Sequence, residues 1–288
     1  MNSPQNLQQA IKCLDSLPAT PRIAQKILSL KVTTDDDDRA LFALIEKDPP
    51  ILAKIIGMAN SPLFGTDQKI LTVRAAEALL GSKRVKMIAL SFAMMSAISR
   101  ESKEPVGLLD IHGLWQHSLS VTITMDTLAR LMPHDLRPSD EEIYLAGLLH
   151  DIGFLVLDHL DTQLSDKFHA RLAAEPERPV EEIEAEMLGM SHSELGAELG
   201  RHWGLPESII AVMRYHHTPS VERAAAGRTL AAMINLAEKL LPPFGISESV
   251  QADISDEEWQ SLGIDPLKVD ETMAKAQEHA WEVAAIQI

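Results

Sequence analysis

The chain has 288 residues, enough for one large or two medium domains, and its 45% hydrophobic and 24% charged residues match ordinary folded globular proteins. A formal net charge of −16 argues against broad contact with phosphate backbones, which needs clustered Lys and Arg. No run approaches the roughly 18 uninterrupted apolar residues of a membrane span. The N-terminus, with Gln5, Gln8 and Gln9, has no signal-peptide core, and the single Cys13 excludes an intramolecular disulfide, so a cytoplasmic location is expected.

Aromatic residues make up only 4%, while Ala, Leu, Met and Glu are plentiful, which favours helix over sheet. In chain order, Thr20-Pro21 and Asp48-Pro49 each place a capping side chain before a proline suited to the first helical position. Asp35 to Asp38 reads as a loop leading into a helix. Helical spacing recurs in Ile23, Ile27, Leu28 and Leu30, again in Ile51, Leu52, Ile55, Ile56 and Ala59, and again in Val85, Ile88, Ala89, Phe92 and Met95. Ser139 with Glu142, Ser191 with Glu194 and Ser255 with Glu258 fit the capping-box spacing. No period-2 strand signal stands out, and an all-α protein is predicted.

Composition shifts at Glu101 to Gly107 and at Pro242-Pro243-Phe244-Gly245 divide the chain into three parts. These are an N-terminal helical lobe over 1–104, a histidine-containing helical lobe over 105–241, and an acidic helical extension over 242–288. From Gln251 to Ile288 the extension carries nine acidic residues against two lysines, as a solvated helical face would. Val73 to Leu80, the Gly81-Ser82 turn, and Lys83, Arg84 and Lys86 opening the next helix resemble a helix-turn-helix. Two helices joined by a Gly turn are common in helical proteins, and with so acidic a chain no DNA contact is expected.

Among the eleven histidines, five stand out by context, together with one aspartate: His117, His150, Asp151, His192, His216 and His217. His150 and Asp151 sit among leucines and isoleucine in Leu148-Leu149-His150-Asp151-Ile152-Gly153. An ionised carboxylate buried there costs several kcal/mol unless it is partnered. The pair is expected near the middle of a helix, His192 in the first turn of a helix, and His216-His217 at the end of the helix that starts at Pro206. Imidazole and carboxylate converging from separate helices are the ligand types of Zn, Mn, Fe or Ni sites. For each histidine alone, a hydrogen-bonded core residue is the competing reading, and for His216-His217 a helix C-terminal cation.

Several motifs then fall in one order: Leu17-Pro18-Ala19-Thr20-Pro21, Ile45-Glu46-Lys47-Asp48-Pro49, Ala59-Asn60-Ser61-Pro62 and Ala78-Leu79-Leu80-Gly81. Trp115-Gln116-His117-Ser118, Gly147 through Gly153, His192 through Ala197, Trp203-Gly204-Leu205-Pro206 and His216-His217 follow. Over roughly residues 15 to 218 the chain resembles the HDOD domain of bacterial signal-transduction proteins. That resemblance implies an HD-like helical bundle preceded by a packed N-terminal lobe, related to the HD and HD-GYP metal-dependent phosphohydrolases. It also implies metal ligation at His117, His150, Asp151, His192, His216 and His217. The chain departs from the HD-GYP pattern at Phe154, where a lysine is expected, and at Thr218-Pro219-Ser220, where Gly-Tyr-Pro is expected. In place of a late aspartate stand Asn235 and Glu238, of which Glu238 has the longer reach.

Three readings follow. The first is a non-catalytic signalling module relaying the state of a protein partner or a small nucleotide ligand, with homodimerisation through the tail an option and no membrane contact. The second is a phosphohydrolase acting on a nucleotide or cyclic dinucleotide. The third is a metal-binding sensor without catalysis.

Overall fold

The computed structural model of the chain describes residues 17–60, 69–99, 108–220, 222–241, 253–266 and 269. Both boundary segments, Cys13, Ser61-Pro62 and most of the acidic extension lie outside the described residues. No strand occurs among the described residues, in agreement with the all-α prediction.

Among the described residues five helices come first: α1 (Arg22–Ser29), α2 (Asp35–Ile45), α3 (Pro49–Ala59), α4 (Val73–Leu80) and α5 (Ser82–Ser99). Their starts follow capping chemistry, with two corrections. Asp48 caps α3 by accepting from the Ile51 N–H, with Pro49 in the first helical position. Thr20 does not cap α1, because Pro21 itself occupies the cap position and makes no side-chain cap bond. Asp35 to Asp38 form the first turn of α2 rather than a loop, since Thr34 and Asp37 close a reciprocal capping box. Four carboxylates there also suit the positive end of the helix dipole.

Between Val85 and Met95 helix α5 is buried on every side, beyond the single face that its spacing predicts. One side meets α1, α3 and α4, and the other meets α7 (Asp140–Leu149) and α8 (Ile152–Leu160). A single buried apolar cluster therefore runs from Leu17 to Val269. The charges opening α5 are tied into it: Arg84 pairs with Asp126 at 3.0 Å, and Lys86 donates to the Leu30 carbonyl at 2.6 Å. Farther on, the Trp203 indole N–H donates to the Pro18 carbonyl at 2.8 Å, fastening the start of the chain to its later half.

The remaining α-helices among the described residues are α6 (Ile111–Leu131), which packs on α7, then α9 (Thr162–Ala174), α10 (Val180–Met187), α11 (His192–His202), α12 (Glu207–Tyr215), α13 (Arg228–Leu240) and α14 (Asp256–Ser261). The capping boxes predicted at Ser139, Ser191 and Ser255 all form, opening α7, α11 and α14. Asp140 to Leu160 is apolar enough by composition to cross a membrane, yet most of it is buried in this protein's own core. His150 and Asp151 do not lie mid-helix. His150 caps the end of α7 and Asp151 the start of α8, so the pair marks a helix-helix junction.

Candidate metal centre

At the start of α8 the Asp151 side chain makes no capping bond, although aspartate is among the preferred residues there. Its carboxylate instead turns inward and is fully buried. Oxygen Oδ2 stands 3.2 Å from His117 Nε2 and 3.1 Å from His150 Nε2, while Oδ1 stands 3.5 Å from His192 Nε2 and 3.4 Å from His216 Nε2. None of these approaches has the geometry of a hydrogen bond to the carboxylate. The α6 helix supplies His117, the α7–α8 junction His150 and Asp151, the first residue of α11 His192, and the end of α12 His216 and His217.

The donors fall into two groups, one on each side of Asp151: His117, His150 and Glu238, and His192, His216 and His217. Glu238, from α13, reaches His150 Nε2 at 3.5 Å. Thus the late carboxylate sits at the cluster, and Asn235, one turn earlier, lines a neighbouring cleft instead. All seven residues proposed from the sequence are brought together.

Backbone and carboxylate acceptors fix which ring nitrogen faces the centre. His150 Nδ1 is 2.8 Å from the Gly147 carbonyl, His216 Nδ1 is 3.2 Å from those of Val212 and Met213, and His192 Nδ1 is 2.7 Å from Glu184 Oε1. A carbonyl or carboxylate only accepts, so each Nδ1 carries a proton, and Nε2 is the nitrogen left to face the centre as a potential ligand. Burial pushes His216 down to about 3, so it is uncharged at neutral pH and is not a helix-terminal cation. Burial alone would raise the Asp151 carboxyl, but positive charge on His150 first, then the imidazoles of His117 and His216, outweigh it and hold it well below the usual carboxylate range. Where the rings are neutral, an ionised carboxylate ringed by lone pairs is repulsive until a cation lies among them.

The spacing fits such a cation. Nε2 atoms are 3.3 Å apart between His117 and His150, 3.3 Å between His192 and His216, and 3.1 Å between His192 and His217. Nitrogens bound to one tetrahedral zinc at about 2.0–2.1 Å stand roughly 3.3 Å apart. With imidazole and carboxylate donors and no thiolate, the set suits Zn, Mn, Fe or Ni.

Sequence reasoning missed Glu184. One of its oxygens accepts from both the backbone N–H and the Nδ1–H of His192, each at 2.7 Å, and the residue is 1% exposed. It belongs to a run of glutamates in α10 that reads as a solvated face, and only its eight-residue separation from His192 hinted otherwise. Gly153 is equally structural. A Cβ there would lie 1.9 Å from the His192 carbonyl oxygen, so only glycine lets α8 pass this close to α11. Phe154, buried and facing His192, offers neither a proton nor a cation.

A cleft of about 640 Å³ adjoins the second group, with His217, Pro219, Arg228, Asn235 and Lys239 among its walls. Lys239 is paired there with Glu258 of α14.

An all-helical fold enclosing five imidazoles and two carboxylates defines a helical protein with a candidate metal centre of the HD type. The HDOD domain model matches residues 17–219, and the chain belongs to the HDOD domain family. It is similar to a candidate signal transduction protein from Marinobacter aquaeolei VT8, with 25% identity and a TM-score of 0.76 over 98% of this chain and 64% of that one. An HDOD domain protein with unknown function from Geobacter sulfurreducens shares the fold at 23% identity, with a TM-score of 0.72 over 97% of each chain. A candidate phosphohydrolase from Shewanella amazonensis SB2B does so at 22% identity and a TM-score of 0.69, over 98% of each chain. An uncharacterised protein of Treponema pallidum (strain Nichols) is 24% identical over 219 residues, which are 74% of this chain and 40% of that protein's length. The chain thus spans well under half of that relative and about two-thirds of the Marinobacter one.

Proposed function

We propose that this protein is a metal-binding signalling module of the HDOD type, in which bound divalent ions lock the packing of α6, α8, α11, α12 and α13. The observation carrying this reading is Asp151, whose two oxygens face separate groups of inward-pointing imidazoles. Ions held there would tie five helices together, so occupancy would select one arrangement of the bundle. Regulation rather than catalysis is supported by Phe154, which stands where the HD-GYP pattern has a lysine. In this reading the protein is cytoplasmic, its input is a signalling partner or small nucleotide, it touches neither DNA nor membrane, and it pairs as a homodimer. The acidic net charge supports the absence of DNA contact.

Metal analysis of protein purified without a histidine tag tests the proposal. Stoichiometric Zn, Mn, Fe or Ni is expected, with loss on Asp151→Asn. Metal-free protein that gains no thermal stability from any of these ions would overturn it.

A second reading is hydrolysis of a phosphoester, favoured by the cleft at His217. Bound divalent ions would polarise a phosphoryl oxygen and activate water. Arg228 and Lys239 would hold the anionic part of a nucleotide-sized substrate against the His217 side of the centre. Screening cyclic di-GMP and (p)ppGpp on the same sample decides between the two: turnover abolished by His150→Ala establishes catalysis, and metal content without turnover supports the signalling role.

A further inference from the structure

The cleft beside His217 has two unlike walls. One, from α13 and the end of α12, presents His217, Arg228 and Lys239, and the other, from α14, presents Glu257 and Glu258. Both α13 and α14 lie past residue 219, where the match to the family model ends. The α14 segment is firmly seated: Trp259, Leu262 and Ile264 are buried in the shared core. Gly263, at φ +69°, passes so close to Pro133 that a Cβ there would lie 2.9 Å from its ring.

Glu258 uses both carboxylate oxygens. Oε2 accepts from the Ser255 N–H at 2.9 Å and from the Ser255 hydroxyl at 3.0 Å, closing the capping box, while Oε1 accepts from the Lys239 ammonium. The box itself asks only for the Ser255 contacts, so the bond to Lys239 is an addition to it. The Lys239 side chain is 11% exposed and that of Glu258 30%, which shields their pair more than an open surface would. Burial opposes ionisation of Glu258, but Lys239 and Ser255 outweigh it and hold the carboxyl below its ordinary value.

We propose that Glu258 is an internal competitor for the anion position of this cleft: its carboxylate sits on the Lys239 ammonium where a ligand's phosphate would bind, and a phosphate ligand enters by exchange with it. This rests on the reading that the cleft takes a nucleotide-sized phosphate, and adds the regulation of that site. Carboxylate and phosphate oxygens both accept charge-assisted bonds from an ammonium, so the exchange is between like groups. Each ligand bound loses the Glu258 pair, and its apparent affinity drops by that factor. The exchange moves one side chain. Turning Glu258 away opens the capping box, while Trp259, Leu262 and Ile264 keep α14 in place.

Titration calorimetry of the full chain with guanosine 5′-monophosphate tests the proposal. Glu258→Gln is the informative variant, because glutamine still closes a capping box with serine but brings no charge to Lys239. It should bind about three- to tenfold tighter than wild type. Damage to the packing of α14 would not tighten binding, so a gain separates competition from a structural role. Asp256→Asn removes the same charge from α14 without lining the cleft and should bind as wild type does. Lys239→Met should weaken binding and make it indifferent to Glu258→Gln. Equal binding by wild type and Glu258→Gln overturns the competitor and leaves the cleft's reading standing, whereas no binding by either overturns both. An equal gain from Asp256→Asn would reduce the effect to net charge and overturn the proposal as well. If the Glu258→Gln protein does not fold, Glu258→Asp, one methylene short of spanning Ser255 and Lys239, decides in the same way.

Discussion

Phe154 lies flat against His192, the ring centroids 4.3 Å apart and the planes 16° from parallel. The imidazole is thereby fixed on three sides: its face by Phe154, Nδ1 by Glu184, and Nε2 toward Asp151. The phenyl ring thus sets the plane of a candidate ligand.

Truncating that support should cost stability and metal affinity together. Phe154→Ala leaves a cavity beside Phe168, whose centroid is 6.2 Å away, and is expected to destabilise by about 3–5 kcal/mol. Phe154→Lys would bury an ammonium in the same apolar setting and should lower the melting temperature at least as far. A Phe154→Lys protein melting like wild type would refute the packing assigned to this ring.

Glu184→Gln keeps an acceptor for the two N–H groups of His192 but removes the charge. The fold should survive, while metal affinity falls by about 10–100-fold, the usual effect of losing a carboxylate behind a ligating histidine. Competition against a chromophoric chelator measures this, and unchanged affinity would show that Glu184 is merely structural.

Gly153→Ala should be more damaging than its single methyl suggests. The added carbon would meet the His192 carbonyl, which is backbone and cannot swing aside, so α8 must move away from α11. A loss of about 3 kcal/mol or more is expected, as for other overpacked interiors, read by denaturant unfolding of wild type and variant side by side.

Stability in chelator should fall on mild acidification. Burial depresses His169 to about 4 and His216 to about 3, whereas an unfolded histidine titrates near 6.5. Unfolding therefore takes up protons below that pH. The stability due to these neutral histidines is intact above about 6.5 and drains away toward pH 4, at up to about 1.4 kcal/mol per unit for each. Asp151, held low, loses its contribution only below its ordinary value, outside this window. His169→Gln should flatten the melting-temperature curve between pH 6.5 and 4, and an unaltered curve would rule out His169 as a source of the slope.

Much of the fold was legible because helix signals are local. Serine and glutamate three residues apart closed capping boxes at Ser139, Ser191 and Ser255 where their spacing said they would. Motif order announced the family, and with it the candidate histidines. Local signals failed where a competing interaction won: Pro21 displaced Thr20 from the cap of α1, and the helix expected to run through His150 and Asp151 breaks between them.

What the sequence determined by itself was the all-helical class, the family and the residue types available for a centre. Tertiary structure alone decided their use. Convergence of His117 and Glu238, 121 positions apart, depends on how α6 and α13 pack, which no local spacing encodes. The same holds for Glu184, whose neighbours along α10 are other glutamates and whose role exists because α10 and α11 bring it behind His192. Nor could residue spacing tell that Lys239 and Glu258, from two different helices, would pair in the wall of one cleft. Ligand geometry is a property of distances between elements, and those are fixed only when the shared apolar core around α5 closes.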